Sequence, residues 1–122
     1  MSNPPPREYE QQLHVDAYLE QQTIGAMLIG PELIRTVRDW LHPQHFATGF
    51  NKTIYTAMLD LLEKNTAIDP VTVGQRTKQL GYEIEPAAFF SFVEHTPSAF
   101  YLSHYARDVV SLAEKRALVD AG

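Results

Sequence analysis

Proline and glycine divide this sequence into short segments, and that punctuation limits the fold more than any other feature. Breaks fall at Gly30-Pro31, His42-Pro43, Asn65-Thr66, Asp69-Pro70, Gly81, Glu85-Pro86 and Thr96-Pro97-Ser98. Proline lacks an N–H and has a fixed φ, so it suits the first turn of a helix and stops one further in. Between the breaks, apolar residues recur at three and four positions, the spacing of one helix face. Ala17, Ile24 and Leu28 mark a first helix over about 16–29, and Leu33, Ile34, Val37, Trp40 and Leu41 mark a second. Ile54, Ala57, Met58, Leu61 and Leu62 mark a third over about 51–64, with Phe46 and Phe50 expected to pack inward just before it. Asp69-Pro70 is a cap-plus-proline start for a fourth, carrying Val73, Thr77 and Leu80 up to Gly81. Ala88, Phe89, Phe92 and Val93 define a fifth. Ser98 caps a long sixth, whose stripe runs through Leu102, Tyr105, Ala106, Val109, Leu112, Ala113 and Arg116. No period-two alternation is sustained. The expected fold is all-α: a compact bundle of about six helices, with Trp40, Phe46, Met58 and Leu61 buried together.

The 122 residues suit one domain. Residues 1–15, with Pro4-Pro5-Pro6 and few apolar side chains, read as a flexible polar tail, leaving 16–122 as the helical domain. No cysteine is present, so disulfides and thiolate metal sites are excluded. The longest aliphatic run, Ala26-Met27-Leu28-Ile29, is far short of the roughly 20 residues that span a bilayer. With no secretory signal visible, a soluble, cytoplasmic protein is expected. Ten basic against 15 acidic side chains give a net charge of −5. Affinity for nucleic acid comes largely from Lys and Arg neutralising phosphates, so this balance favours a protein partner. It also argues against a helix-turn-helix DNA binder, since no recognition helix is basic.

A search for chemistry returns little. None of the six glycines forms a phosphate-binding loop. His42 and His45 have a spacing that can serve a metal, but Pro43 lies between them and no third ligand is near, so they read as polar loop residues. His14, His95 and His104 are isolated. Ser91, Ser98, Ser103 and Ser111 lack a neighbouring base. Phe89, Phe90, Phe92, Phe100, Tyr101 and Tyr105 crowd one stretch with only Arg107 close by, which favours core packing over base stacking. Phe90 and Tyr101 are the two left over for a protein contact. The sixth-helix stripe is longer than a small core needs, so its half from Val109 onward is expected to stay partly uncovered in a monomer.

Six segments, in order, resemble the N-terminal domain of DnaB-type replicative DNA helicases. They are Ile24-Gly25-Ala26-Met27-Leu28, Leu41-His42-Pro43-Gln44-His45-Phe46, Ile54-Tyr55-Thr56-Ala57-Met58, Ile68-Asp69-Pro70-Val71-Thr72-Val73, Thr96-Pro97-Ser98-Ala99, and Tyr105-Ala106 with Val109, Ala113, Arg116 and Leu118. The match covers about residues 17–118, and Gly25 in it permits close helix approach. Asn51 stands where the family has His, and Glu85-Pro86 near its usual Gly-Gly, which points to a divergent member, phage-encoded or otherwise specialised. The resemblance implies a collar domain without catalysis, which pairs with itself and docks primase and, in some systems, a helicase loader. DNA would be met only through the full assembly, and no membrane is involved. It implies a last helix leading toward a dimerising hairpin, and ATP and Mg only in a separate C-terminal motor. The candidate interface is Phe90, Tyr101, Tyr105, Val109, Leu112 and Arg116. The alternative is a stand-alone adaptor or inhibitor that mimics this domain and binds a host helicase.

Overall fold

A computed structural model of the protein describes residues 8–121. Among them are five α-helices and no strand: α1 (Glu8–Ile29), α2 (Gly49–Glu63), α3 (Pro70–Gln79), α4 (Pro86–Glu94) and α5 (Leu102–Ala121). Three 3-10 segments, Pro31–Thr36, Pro43–His45 and Ala99–Tyr101, join them. The all-α fold expected from the sequence is thus present, and its six helical segments all appear, the second as 3-10.

The caps explain most boundaries. Asp69 is extended, its carboxylate accepts the Thr72 N–H at 2.9 Å, and Thr72 Oγ1 accepts the Asp69 N–H at 3.0 Å. This reciprocal pair satisfies two donors that a helix start leaves orphaned. Replacing Asp69 with alanine should cost about 1 kcal/mol, read as a lower urea midpoint with an unchanged slope. Two helices end in the same way. Gly81 (φ 98°) lets its own N–H reach the Lys78 carbonyl and the Tyr82 N–H reach that of Thr77. Asn65 (φ 53°) repeats this after α2, with bonds to Leu62 and from Thr66 to Leu61. Left-handed backbone is needed at both positions, and glycine and asparagine are the residues that adopt it most readily.

Two expectations are corrected. The first helix begins at Glu8 rather than near residue 16; residues 1–7 of the expected tail lie outside the described residues. Glu8, Glu10, Gln11 and Gln12 are good helix formers, and their polarity concealed the helix. The second helix is 3-10 over Pro31–Thr36 followed by a turn, with mixed bonds such as Val37 N–H and Arg38 N–H both to the Ile34 carbonyl. Residues three apart eclipse in such a segment, so Ile34 and Val37 still fall on the buried side. Trp40, next in that series, is only partly buried, whereas Phe46, Met58 and Leu61 are buried as expected. Phe50 lies at the rim, stacked on Phe92 at 6.2 Å.

One core joins all five helices. Ile24, Ala26 and Met27 of α1 meet Tyr55 and Met58 of α2, Val73 of α3, Phe89 of α4, and Leu102, Ala106 and Val109 of α5. α5 packs chiefly along α1. The two run antiparallel, since Asp16 lies beside Arg116 at one end and Gly30 against Ala99 at the other. No helix of the described residues is long and apolar enough to cross a membrane.

Candidate interaction surface

The approach to α5 is built by a cap. Ser98 Oγ accepts the Phe100 N–H at 3.0 Å and starts the turn Ala99–Tyr101. Ala99 faces Gly30, which leaves Phe100 and Tyr101 on the outside. Phe100 is 82% exposed, and its ring meets Tyr101 edge-on at 5.3 Å; Tyr101 in turn meets Tyr105 at 6.5 Å. Phe90 is exposed on α4, because Phe89 and Phe92 take its inner face. Among the described residues no ring contact joins Phe90 to that ladder. Burying a phenylalanine is worth about 1.5–3 kcal/mol, so contiguous exposed rings mark a surface that gains from a partner.

Of the predicted interface residues, Phe90 and Tyr101 are exposed, and Tyr105 and Leu112 are half-buried. Val109 is not available: it is 1% exposed, inside the core. Arg116 is engaged within the chain, with Nη1 3.8 Å from Asp16 and Nη2 donating to the His45 carbonyl at 2.8 Å. The expectation that the stripe stays partly uncovered from Val109 onward is therefore corrected at Val109 itself, while Leu112, Ala113 and Arg116 beyond it are half-buried. The most exposed apolar side chains of α5 lie near its end, where Leu118 and Val119 are 75% and 77% exposed. Phe100, the most exposed of the rings, is not among the interface residues that the sequence singled out. The spacing Leu102–Ala106–Val109, continued backward, places 99 inward and 100 outward, and that phase was the available signal.

Between α1 and the turn before α2 lies a polar seam that the sequence did not reveal. Glu20 is buried in α1, and its carboxylate accepts the Ala47 N–H at 3.0 and 3.1 Å and Asn51 Nδ2 at 2.9 Å. Lys52 Nζ donates to the Phe46 carbonyl. Asn51, read from the sequence as a departure from the family pattern, thus donates directly to a buried carboxylate. Hydrogen bonds to a charged group contribute about 1.5–3 kcal/mol, so the seam fixes the 43–47 turn against α1.

The arrangement suits binding rather than bond chemistry. Ser98 is spent on its cap, and His95 Nδ1 donates to the Ser91 carbonyl at 2.7 Å. The His42 and His45 rings are 5.4 Å apart, yet among the described residues no three metal-ligating side chains cluster.

Comparison with known proteins agrees with this description. The model of the DnaB-like helicase N terminal domain family matches residues 12–111. A replicative DNA helicase DnaB from Rhodothermus marinus is 35% identical over 95 residues, covering 78% of this chain and 9% of that protein. The Rickettsia felis helicase is 29% identical over 106 residues, covering 84% of this chain and 22% of its own length. The chain therefore spans between about a tenth and about a fifth of these relatives. The crystal structure of the N-terminal domain of DnaB helicase from Mycobacterium tuberculosis superposes with a TM-score of 0.82 at 28% identity, covering 87% of this chain and 78% of that one. The corresponding Helicobacter pylori domain, described together with its interactions with primase, gives a TM-score of 0.81 at 17% identity, covering 94% and 92%, and bears on the fold alone.

Proposed function

The chain belongs to the family of DnaB-like helicase N-terminal domains, and on that premise we propose that it is the interaction and oligomerisation domain of a replicative DNA helicase. Its work is to assemble subunits and to dock primase or a loader during DNA replication in the cytoplasm. The chain itself supplies surfaces rather than chemistry. ATP and Mg would be bound by a C-terminal motor of the longer protein, and DNA would be gripped by the whole assembly.

The observation that carries this reading is the final turn of α5, which leaves Leu118 and Val119 bare at the end of a helix that is otherwise well packed. Self-association is assigned to this end, and partner docking to the ring ladder of Phe100, Tyr101 and Tyr105. A primase partner is drawn from the Helicobacter pylori domain, whose interactions with primase are part of its description. Sedimentation tests the first assignment. This chain should be a monomer or weak dimer, whereas one extended by about two further helices should associate. Leu118→Asp with Val119→Asp should dissociate the longer chain without loss of helical content, because unpaired buried charge is costly. Val109 is unsuited to this test, since a charge there would unfold the core. An oligomer that survives both aspartates, or a longer chain that stays monomeric at high concentration, overturns the assembly reading.

A further inference from the structure

The turn between Leu41 and Ala47 is held by an unusual use of a histidine ring. The His45 N–H donates to the His42 carbonyl at 3.0 Å, and the His42 N–H donates back to His45 Nδ1 at 2.9 Å. A backbone N–H can only donate, so Nδ1 must be a bare acceptor and the neutral ring carries its proton on Nε2. The carbonyl of the same residue accepts Arg116 Nη2, and Arg116 also pairs with Asp16. One residue therefore joins the turn to itself, to α5 and, through Arg116, to α1.

Charged and titratable groups face this point from every packed element. His42 comes from the turn, Glu114 and Arg116 from α5, and Asp16 from α1 behind Arg116. Lys52 of α2 holds the next carbonyl, and Glu20 of α1 holds the Ala47 N–H.

We infer that His45 is a proton-operated latch: when Nδ1 takes up a proton it loses the His42 N–H, the turn opens, and Arg116 of α5 loses the His45 carbonyl that ties it to the turn. A protonated ring would point a donor at a donor and set a second positive charge beside Arg116. Burial, then His42 and Arg116 against the opposing pull of Glu114, holds the imidazole below the ordinary histidine value of 6.5. The opened turn therefore takes up a proton more readily than the closed one. The latch is fully closed above that ordinary value, and its contribution is lost as pH falls through the lowered one.

The test is an NMR titration of the full chain from about pH 8 to pH 5, following the His45 ring together with the exchange protection of the His42 amide. His45 should titrate below the ordinary histidine value. Protection at His42 should fall over the same range, by about tenfold for each pH unit separating the two values. His45→Asn places a side-chain oxygen where Nδ1 stood and cannot be protonated, so it should keep the His42 amide protected at every pH. Protection that stays constant while wild-type His45 titrates overturns the latch, as does a His45→Asn profile identical to wild type. If the variant fails to fold, the wild-type titration alone decides.

Discussion

Replacing Phe46 with alanine is expected to remove about 3–5 kcal/mol of stability. A domain of this kind is stable by only about 5–15 kcal/mol, so the loss is a large part of the whole. Phe46 is fully buried, its ring lies 5.3 Å from that of Tyr55, and the residue closes the turn held by Lys52, Glu20 and Arg116. Tyr55 cannot relax into the vacated space, because its hydroxyl donates to the Leu41 carbonyl at 2.8 Å. Burial also pushes that phenol well above the ordinary tyrosine value, so it remains a neutral donor. The cavity would therefore persist. Chemical unfolding should show a lower midpoint with an unchanged slope, the sign of lost stability rather than altered compactness. Trp40→Ala is the control. The sequence places Trp40 and Phe46 in one core, but Trp40 is partly exposed and its loss should be smaller. Equal losses would mean that the turn is not packed as described.

What the sequence disclosed and what it hid divide along physical lines. Asp69-Pro70, Asn65, Gly81 and Ser98 act through bonds to neighbours a few residues away, so residue type and spacing sufficed to place them. The inner faces of α2, α4 and α5 were legible for the same reason, since helical periodicity needs no knowledge of the partner. The first turns of α1 were not, because a polar helix start and a polar tail have similar composition. Val109 was misjudged because the length of an apolar stripe does not tell which of its residues a neighbouring helix covers. Glu20 was invisible as well: its partners, Ala47 and Asn51, are 27 and 31 residues away. A lone glutamate in a helix gives no sign that a distant turn will bury it.

Gly25→Ala should destabilise the chain, although two effects oppose each other. In an exposed helix this change gains about 1 kcal/mol of helix propensity. Here α1 crosses α4 so closely that an added Cβ would overlap the Phe92 carbonyl oxygen and the Thr96 side chain. Overpacking of that kind costs about 1–3 kcal/mol, so the steric term should win. The identity of the obstacles decides how far the structure can yield. Thr96 Oγ1 is held by the Phe92 carbonyl at 2.8 Å and cannot swing away without leaving a buried polar group. The Phe92 oxygen is backbone, and it moves only if α4 moves. Thr96→Ala in the Gly25→Ala background should accordingly recover part of the loss and no more, because it removes the hydroxyl but not the carbonyl. Urea midpoints of the two single variants and the double variant measure this coupling directly. Full recovery would show that α4 is free to shift, and a Gly25→Ala chain more stable than wild type would show that the two helices do not touch there. The crossing matters beyond stability, since α4 carries the exposed Phe90, and any displacement of that helix would move this ring as well as lower the melting of the domain.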